Sequence, residues 1–317
     1  VLTTAPTKRN QCFGADEEGI KMWRVYMPRP YPVMKHEFQP AWKKMIWHLY
    51  DHFDPRNKKV IRDVIDAFQP DQIFAYSVQG LGWNIFDEIA ESNIAVTFFL
   101  HDMSLACYKS SKYNGVMECD QLCKMCKRSS DYKMKMLSKV RALRFLAPFN
   151  ANIEEAERYV PINNYPSACV LSPNNYPAPT EERKEKDILR FLYIGDLHSL
   201  KGLDFLLTVM DDISGKYPFE MKIIGDGRDE AKFKQTYKGK YWCKFIGSAT
   251  QQEISNHMVN SDLLLALSSE VEQSTDYVMH AFAIGLPVFT NEWHGMNEIV
   301  VDGKNGRLLP TASHEAW

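Results

Sequence analysis

The 317-residue chain has no uncharged apolar run of about 18 residues, so no segment of it reads as a membrane-crossing helix. It has no excess charge of either sign: 38 Lys and Arg face 40 Asp and Glu, for a net −2. Bulk charge therefore gives no pull toward nucleic acid or an anionic membrane. No basic, then apolar, leader stands at Val1, so no signal peptide is read there. Cysteine is sparse, and its seven copies are odd in number with four clustered. That argues against the dense, evenly spread framework of a secreted disulfide protein and favours a reducing cytosol. No internal repeat of solenoid period occurs. What is abundant is apolar surface: the chain is 45% hydrophobic, enough for two domains with their own cores.

Both halves alternate strand-like and helix-like segments. In the first half VLTT and KMWRVYM read as strands. Trp42, Met45, Ile46 and Leu49 share one face of a helix, as do Val60, Ile61, Val64, Ile65 and Phe68, a helix that Pro70 ends. IFAY is a short buried strand, residues 85–90 are helical, AVTFFL (95–100) is a second strand and FLAPF (145–149) a third. Strands separated by helices of this length imply right-handed crossovers and a parallel sheet. Residues 172–187, SPNNYPAPTEERKEKD, carry three prolines, two asparagines and a charged run, and read as a linker. The pattern then restarts, with Leu203, Leu206, Leu207, Met210 and Ile213 marking an amphipathic helix. The expected domains are residues 1–175 and 176–317.

The second half carries the stronger chemistry. Its strands end in LYIGDLHSLKG, MKIIGDG, CKFIGS and LLLALSSEVEQST in that order. In GDLHSLKG (195–202), Gly195 turns the backbone sharply after an apolar strand, and Lys201 sits near the start of the following helix. Helix N-terminal amides plus one ammonium suit a diphosphate; the alternative is an ordinary surface lysine. Gly225 and Gly227 form a short glycine motif that is weak alone and gains weight from its place in the series. Gln273, Ser274 and Thr275 precede a helix, where their amides can cap a phosphate. Gly285 and Pro287 mark a close helix-to-strand turn. In the first half, His101 and Asp102 end the strand AVTFFL, at the carboxyl edge where doubly wound sheets bind ligands. Gly80 and Gly82 give backbone access near the same rim. A histidine paired with Asp102 as strand-end structure is the equal alternative.

The order and spacing of these motifs, over most of the chain, resemble glycosyltransferase family 4. The resemblance implies an α/β, GT-B architecture: two Rossmann-like, doubly wound parallel-sheet domains facing a cleft. Against the family pattern the chain reads as truncated at both ends, without a first strand and glycine loop and without the final helices. The implied activity is retaining transfer of a sugar from a nucleotide-diphosphate sugar to a hydroxyl acceptor, in polysaccharide or glycolipid biosynthesis. Carried onto this sequence, Glu272 orients the donor sugar, His101 lies at the reacting face, and Lys201 with the 273–275 amides holds the diphosphate. Glu298 fits a late, mainly structural glutamate. Two positions depart from the family: Asp196 stands where an arginine shares the phosphate, and His280 where a second glutamate holds the ribose. These departures keep a second reading open, a degenerate partner or regulatory module. No metal is implied for catalysis.

Cys107, Cys119, Cys123 and Cys126 leave their own alternatives: a structural zinc, free thiols or one disulfide, or an iron–sulfur cluster through the C-x3-C-x2-C spacing. Residues 124–144 hold eight Lys or Arg and one acid, Asp131, with Tyr132, Met136, Val140 and Leu143 on one helical face. That segment is read as a packed, solvated helix or as a peripheral contact with a membrane's inner face. Nucleic acid is not expected as a partner, because aromatic interleaving is sparse. The acceptor is expected to be a sugar or a lipid-linked sugar, and the location cytoplasmic.

Overall fold

The computed structural model describes residues 1–32, 39–110, 112, 119–171, 174–198, 202–267, 276–292, 295–310, 313 and 315–317. The chain forms two compact units, Val1–Lys112 with Cys119–Val170, and Leu171–Trp317.

The N-terminal unit begins with β1 (Leu2–Thr4), β2 (Cys12–Glu17) and β3 (Ile20–Val25), a small sheet in the order β1-β3-β2. β1 runs parallel to β3, and β2 and β3 form an antiparallel hairpin. The hairpin turns at Glu18 and Gly19, both with positive φ (54° and 83°). That backbone matches the right-handed twist of its strands. The sequence pattern gave β1 and β3 but not β2, because a glutamate occupies a turn position that asparagine or aspartate usually marks.

Then come α1 (Ala41–Phe53), α2 (Arg56–Phe68), β4 (Gln72–Ala75), α3 (Ile85–Ser92), β5 (Ala95–Phe99), α4 (Lys124–Leu137), β6 (Leu143–Ala147), α5 (Asn150–Glu157) and β7 (Ser167–Cys169). β4 to β7 form a parallel sheet in sequential order. Its core centres on the fully buried Phe86, Phe98, Leu137, Phe145 and Ile162.

Three sequence expectations fail in this unit. The apolar stripe of α1 is not its buried face: Trp42 (59%), Met45 (55%) and Leu49 (55%) are exposed. The helix buries Trp47, Asp51 and His52 instead. Polar anchoring overrides the apolar count here. The Trp47 indole donates to the Tyr31 carbonyl at 3.2 Å, and Asp51 accepts the Gly80 amide at 2.8 Å. The helix holding Tyr132 and Met136 ends at Leu137, so Val140 lies beyond it and Leu143 opens β6. The basic segment is also not one solvated face, because Lys133 is buried and donates to the Ser104 carbonyl. Lys127 pairs with Asp131, and Lys139 with Asp87.

The C-terminal unit contains β8 (Leu189–Ile194), α6 (Leu203–Ser214), β9 (Phe219–Ile224), α7 (Glu230–Thr236), β10 (Cys243–Gly247), α8 (Gln251–Val259), β11 (Leu263–Ala266), α9 (Asp276–Ile284), β12 (Val288–Asn291), α10 (Met296–Ile299) and β13 (Gly306–Leu309). All six strands are parallel, in the order β10-β9-β8-β11-β12-β13. The core has two layers. Leu203, Leu206, Leu207 and Met210 of α6 and Phe233 of α7 pack with Phe219 and Trp242. Residues of α8, α9 and α10, among them Met258, Ala281 and Met296, pack with Leu192, Leu264 and Val288. Helices on both faces of a parallel sheet make this unit doubly wound.

The proline-rich stretch is not a loose tether over its described part. The Thr180 amide donates to Asn256 Oδ1 (2.8 Å), the Lys184 amide to Asn260 Oδ1 (3.0 Å), and Gln252 Nε2 to the Ala178 carbonyl (2.8 Å). These side chains on and just after α8 replace the apolar contacts that the strap's composition lacks.

Candidate functional site

Strand order reverses between β8 and β11: β9 and β10 lie on one side, β12 and β13 on the other. In an open parallel sheet such a reversal leaves a crevice at the strands' carboxyl ends, where the crossovers diverge to opposite faces. The loops leaving these two strands are those the sequence singles out, 195–202 and 267–275. Lys201, Glu272, Gln273, Ser274 and Thr275 lie outside the described residues. The bases of both loops are described.

Glycine determines how closely these loops pack. A Cβ built on Gly225 (φ +134°) would sit 1.9 Å from the Gly195 carbonyl oxygen. One on Gly227 would lie 2.5 Å from Asp196 Oδ1 and 2.6 Å from the Leu197 amide. The backbones are zipped by Gly195 N to Ile224 O (3.0 Å), Leu197 N to Asp226 O (2.8 Å) and Gly225 N to Gly247 O (2.9 Å). The expected donor residues Gly195, Gly225 and Gly227 are thus in mutual contact, with Gly247 of the CKFIGS loop beside them. Asp196 is exposed on this ridge, and the side chain after it, Leu197, turns into the core.

The first loop ends at Gly202, the N-cap of α6, in the left-handed region (φ 72°) and with no side-chain cap. A helix N-terminus without a side-chain cap is a place where backbone amides can meet an anion.

His280 is placed differently from its expected role on the ribose. It is fully buried, stacked on Tyr176 (centroids 4.4 Å apart, planes at 8°), with Nε2 2.9 Å from Ser255 Oγ. Burial holds its pKa below the usual histidine value, so the ring is neutral. It joins α9 to α8 and presents no surface to a ligand. Glu298 is exposed in the single turn of α10.

In the N-terminal unit, His101 follows β5 and is stacked on Tyr76 (4.4 Å, 16°). Its Nε2 is 3.6 Å from Asp102 Oδ2, and its Nδ1 is buried with no hydrogen-bond partner. Asp102 caps the short 3-10 turn Met103–Leu105 by accepting the Ser104 amide at 2.8 Å. Gly80 and Gly82 do not open the backbone to the rim. Gly80 bonds Asp51, and a Cβ on Gly82 (φ +94°) would sit 1.9 Å from Asn57 Nδ2.

Beside this strand end stands a group of ionisable residues of which sequence reasoning singled out only Asp102; Asp51, His52 and Lys133 among them are buried. Asp51, His48, Asp102, Tyr108 and Lys133 line a recess with room for about one water molecule. Burial raises Asp51 to about 6 and lowers His52 to about 4 and Lys133 to about 8. The signal existed in LYDHFDPR (49–56), but the apolar stripe of the same helix masked it.

The four clustered cysteines are all described. The Cys107 and Cys126 sulfurs are 3.6 Å apart. Among the described residues, no group of three or more His, Cys, Asp or Glu is placed to hold a metal ion. No described helix is long and apolar enough to cross a membrane.

A profile of the family "Glycosyl transferases group 1" matches residues 189–317. The chain is 28% identical over 137 residues to the amylovoran biosynthesis glycosyltransferase AmsK of Erwinia amylovora, covering 40% of this chain and 34% of that protein. The chain spans little more than a third of the curated relatives it matches, 38% of one and 34% of another. Among solved structures it superposes on sucrose-phosphate synthase from Thermosynechococcus elongatus with a TM-score of 0.72, at 14% identity, over 99% of this chain and 76% of that one. It superposes on Anabaena HepE, solved with UDP and glucose, with a TM-score of 0.63, at 13% identity, over 94% and 74% of the chains. These likenesses give the fold as GT-B, with two parallel-sheet units.

Proposed function

We propose, from the match of residues 189–317 to the glycosyl transferases group 1 family, that this chain transfers a sugar from a nucleotide-diphosphate sugar to a hydroxyl acceptor with retention at the anomeric carbon. The family match and the relatives named as glycosyltransferases support sugar transfer. Donor type, stereochemistry and the building of a surface polysaccharide are the proposal. The relative AmsK is named for amylovoran biosynthesis, and HepE was solved with UDP and glucose.

One observation supports the donor assignment most directly. The strand-order reversal falls between β8 and β11, and their loops carry Lys201 and residues 272–275. Lys201 and the N-terminal dipole of α6 supply positive potential where a leaving diphosphate gains charge. Glu272 is proposed to orient the donor sugar, and Gln273, Ser274 and Thr275 to cap the phosphates. His101 is the proposed catalytic contribution of the N-terminal unit. The ribose is left to a residue other than His280.

A second reading is favoured by Asp196 and His280: a folded relative without donor affinity, serving as a partner module. An exposed carboxylate at 196 repels a diphosphate nearby, and a buried histidine at 280 cannot replace a carboxylate that holds a ribose.

Calorimetric titration with UDP and with GDP separates the two readings. Heat saturating at one nucleotide per chain supports the transferase. No heat and no thermal shift with either nucleotide supports the partner module. Lys201→Ala is expected to lower turnover by about 100-fold or more while leaving the unfolding midpoint within about 0.5 kcal/mol, since the change lies on a loop. A normal turnover rate in that variant removes the phosphate assignment.

A further inference from the structure

Residues 100–123 join β5 to α4, and the four cysteines lie along this stretch and into α4. Cys126 is in the first turn of α4 and Cys123 is its N-cap. Cys107 and Cys126 are buried together with Met103 and Ala106, against Tyr108, Leu122 and Tyr159. This is a small cluster separate from the main core of the unit.

Backbone amides donate to three of the four sulfurs. The Cys123 sulfur accepts the Cys126 amide at 3.4 Å and also the Met125 amide. The Cys107 sulfur accepts the Lys109 amide at 3.4 Å and also the Lys112 amide. The Cys126 sulfur accepts the Tyr108 amide. At Cys123 the amides two and three residues on are both aimed at the sulfur, the tight turn by which a Cys-x-x-Cys pair grips a cation. A neutral thiol is a poor acceptor and gives little reason to spend several amides on it.

The spacing agrees. Zinc–sulfur bonds of about 2.3 Å in a tetrahedron place sulfurs about 3.8 Å apart. Cys107 and Cys126 stand at 3.6 Å, and the Cys123 thiol hydrogen-bonds that of Cys126. Cys119 is fastened to the same segment by its amide, 2.7 Å from the Lys112 carbonyl. All four sulfurs lie within electrostatic range of the Tyr108 hydroxyl. Thiolates repel each other, so the last closure of four of them needs the attraction of a cation.

We propose that Cys107, Cys119, Cys123 and Cys126 bind one zinc ion as a tetrahedral tetrathiolate site that fixes the β5–α4 segment. Soft thiolate donors select zinc over hard cations, and a closed set of four leaves no open position for catalysis. On binding, the four thiols release their protons to solvent and each sulfur donates an electron pair to the metal, with no change of oxidation state. Lys109, Lys112 and Lys133 lie within electrostatic range of these sulfurs. The segment is the one that leaves β5 through His101 and Asp102, so the metal would hold the strand-end loop in place.

The test uses the reduced full chain. Metal analysis by mass spectrometry is expected to give about one zinc per chain. Replacement by Co2+ should give the near-ultraviolet charge-transfer bands and red d–d bands of a tetrahedral thiolate site. Cys123→Ser and Cys126→Ser should each weaken zinc at least about 10-fold in chelator competition, no less than loss of a supporting residue does. Cys169→Ser, on β7, should leave it unchanged. If the serine variants do not fold, the cobalt spectrum of the unaltered chain still decides. Failure of the reduced chain to take up zinc or cobalt overturns the proposal. So does a brown iron–sulfur chromophore after anaerobic reconstitution, or a Cys107–Cys126 disulfide as the stable form in a reducing lysate.

Discussion

Gly202 rests against Leu267: a Cβ built on the glycine would lie 3.2 Å from the Leu267 Cβ. The first residue caps α6 at the end of the loop from β8, and the second follows β11. This contact joins the bases of the two loops that diverge at the strand-order reversal. It also demands glycine twice, since Gly202 has φ +72°. Gly202→Val should lose about 2 kcal/mol in urea unfolding, from the left-handed backbone and the forced contact together. UDP should bind more weakly than the lost stability alone explains, because the α6 amides are re-aimed. Unchanged nucleotide affinity in a folded Gly202→Val chain would separate this junction from the donor site.

Asp51 and His52 are adjacent, buried and oppositely perturbed, and their contributions to stability nearly cancel. Asp51 rises from 3.8 to about 6, chiefly through burial, so between those values the native state holds a proton that the unfolded chain has lost. Stability from this residue therefore falls as pH rises through that window. His52 falls from 6.5 to about 4, again chiefly through burial, so between pH 4 and 6.5 the unfolded chain holds the extra proton. Stability from this residue rises with pH. Each contribution is on the order of 3 kcal/mol. The unaltered chain should therefore show little net slope from this pair. Asp51→Asn should become more stable as pH rises from about 4 to 6.5, and His52→Gln less stable. Denaturation at a series of pH values checks both, and parallel profiles in all three proteins would refute the assignment.

The C-terminal unit was legible in the sequence because every strand there ends in a loop with a distinctive residue. Gly195, Gly225, Gly247 and Gly285 punctuate apolar runs such as LRFLYI and LLLA, and a buried parallel strand has no polar face to blur its limits. The N-terminal unit was harder. Trp42, Met45 and Leu49 have helical spacing, yet Asp51 and Trp47 decide which way α1 faces, through hydrogen bonds to Gly80 and Tyr31. Spacing cannot register a bond to a residue about thirty positions away. For the same reason the stacking of His280 on Tyr176, a residue of the proline-rich strap, was not readable from the alignment of motifs. The reading of 124–144 as one helix failed because Val140 and Leu143 continue the apolar spacing across the turn that ends α4.

The burial of His280 changes what restoring the family residue should do. Glutamate at this position would place a carboxylate at a site with no exposed surface, beside Ser255 Oγ and the Tyr176 ring. Among the described residues, His280 makes no contact with a cation. His280→Glu should cost about 2–3 kcal/mol, or take up a proton and titrate well above the ordinary carboxylate range. It should not improve UDP binding, alone or with Asp196→Arg. Thermal unfolding and calorimetry read the two effects separately. A gain in nucleotide affinity without loss of stability would show that α9 can turn this position outward.

Arg29 and Asp54 form an ion pair with side chains only 3% and 2% exposed, Nη1 to Oδ2 2.7 Å. Arg29 Nη2 also donates to Asn57 Oδ1 and to the Gly80 carbonyl, each at 3.0 Å, which ties β3's outgoing chain to the start of α2 and to the loop after β4. Asp54→Ala removes the only carboxylate that the structure pairs with Arg29 among the described residues and leaves a guanidinium buried beside neutral acceptors. Breaking such a pair from one side costs about 3–5 kcal/mol, since the remaining charge keeps its desolvation penalty. Removing both charges costs less, because an apolar pair of similar volume needs no such compensation. Asp54→Ala should therefore lower the urea midpoint sharply, and Arg29→Met with Asp54→Leu should recover most of the loss. Recovery stays short of complete, because Gly80 and Asn57 lose a donor. Equal loss in the single and double variants would mean that the bonds from Arg29 to Asn57 and Gly80, rather than charge pairing, hold this junction together.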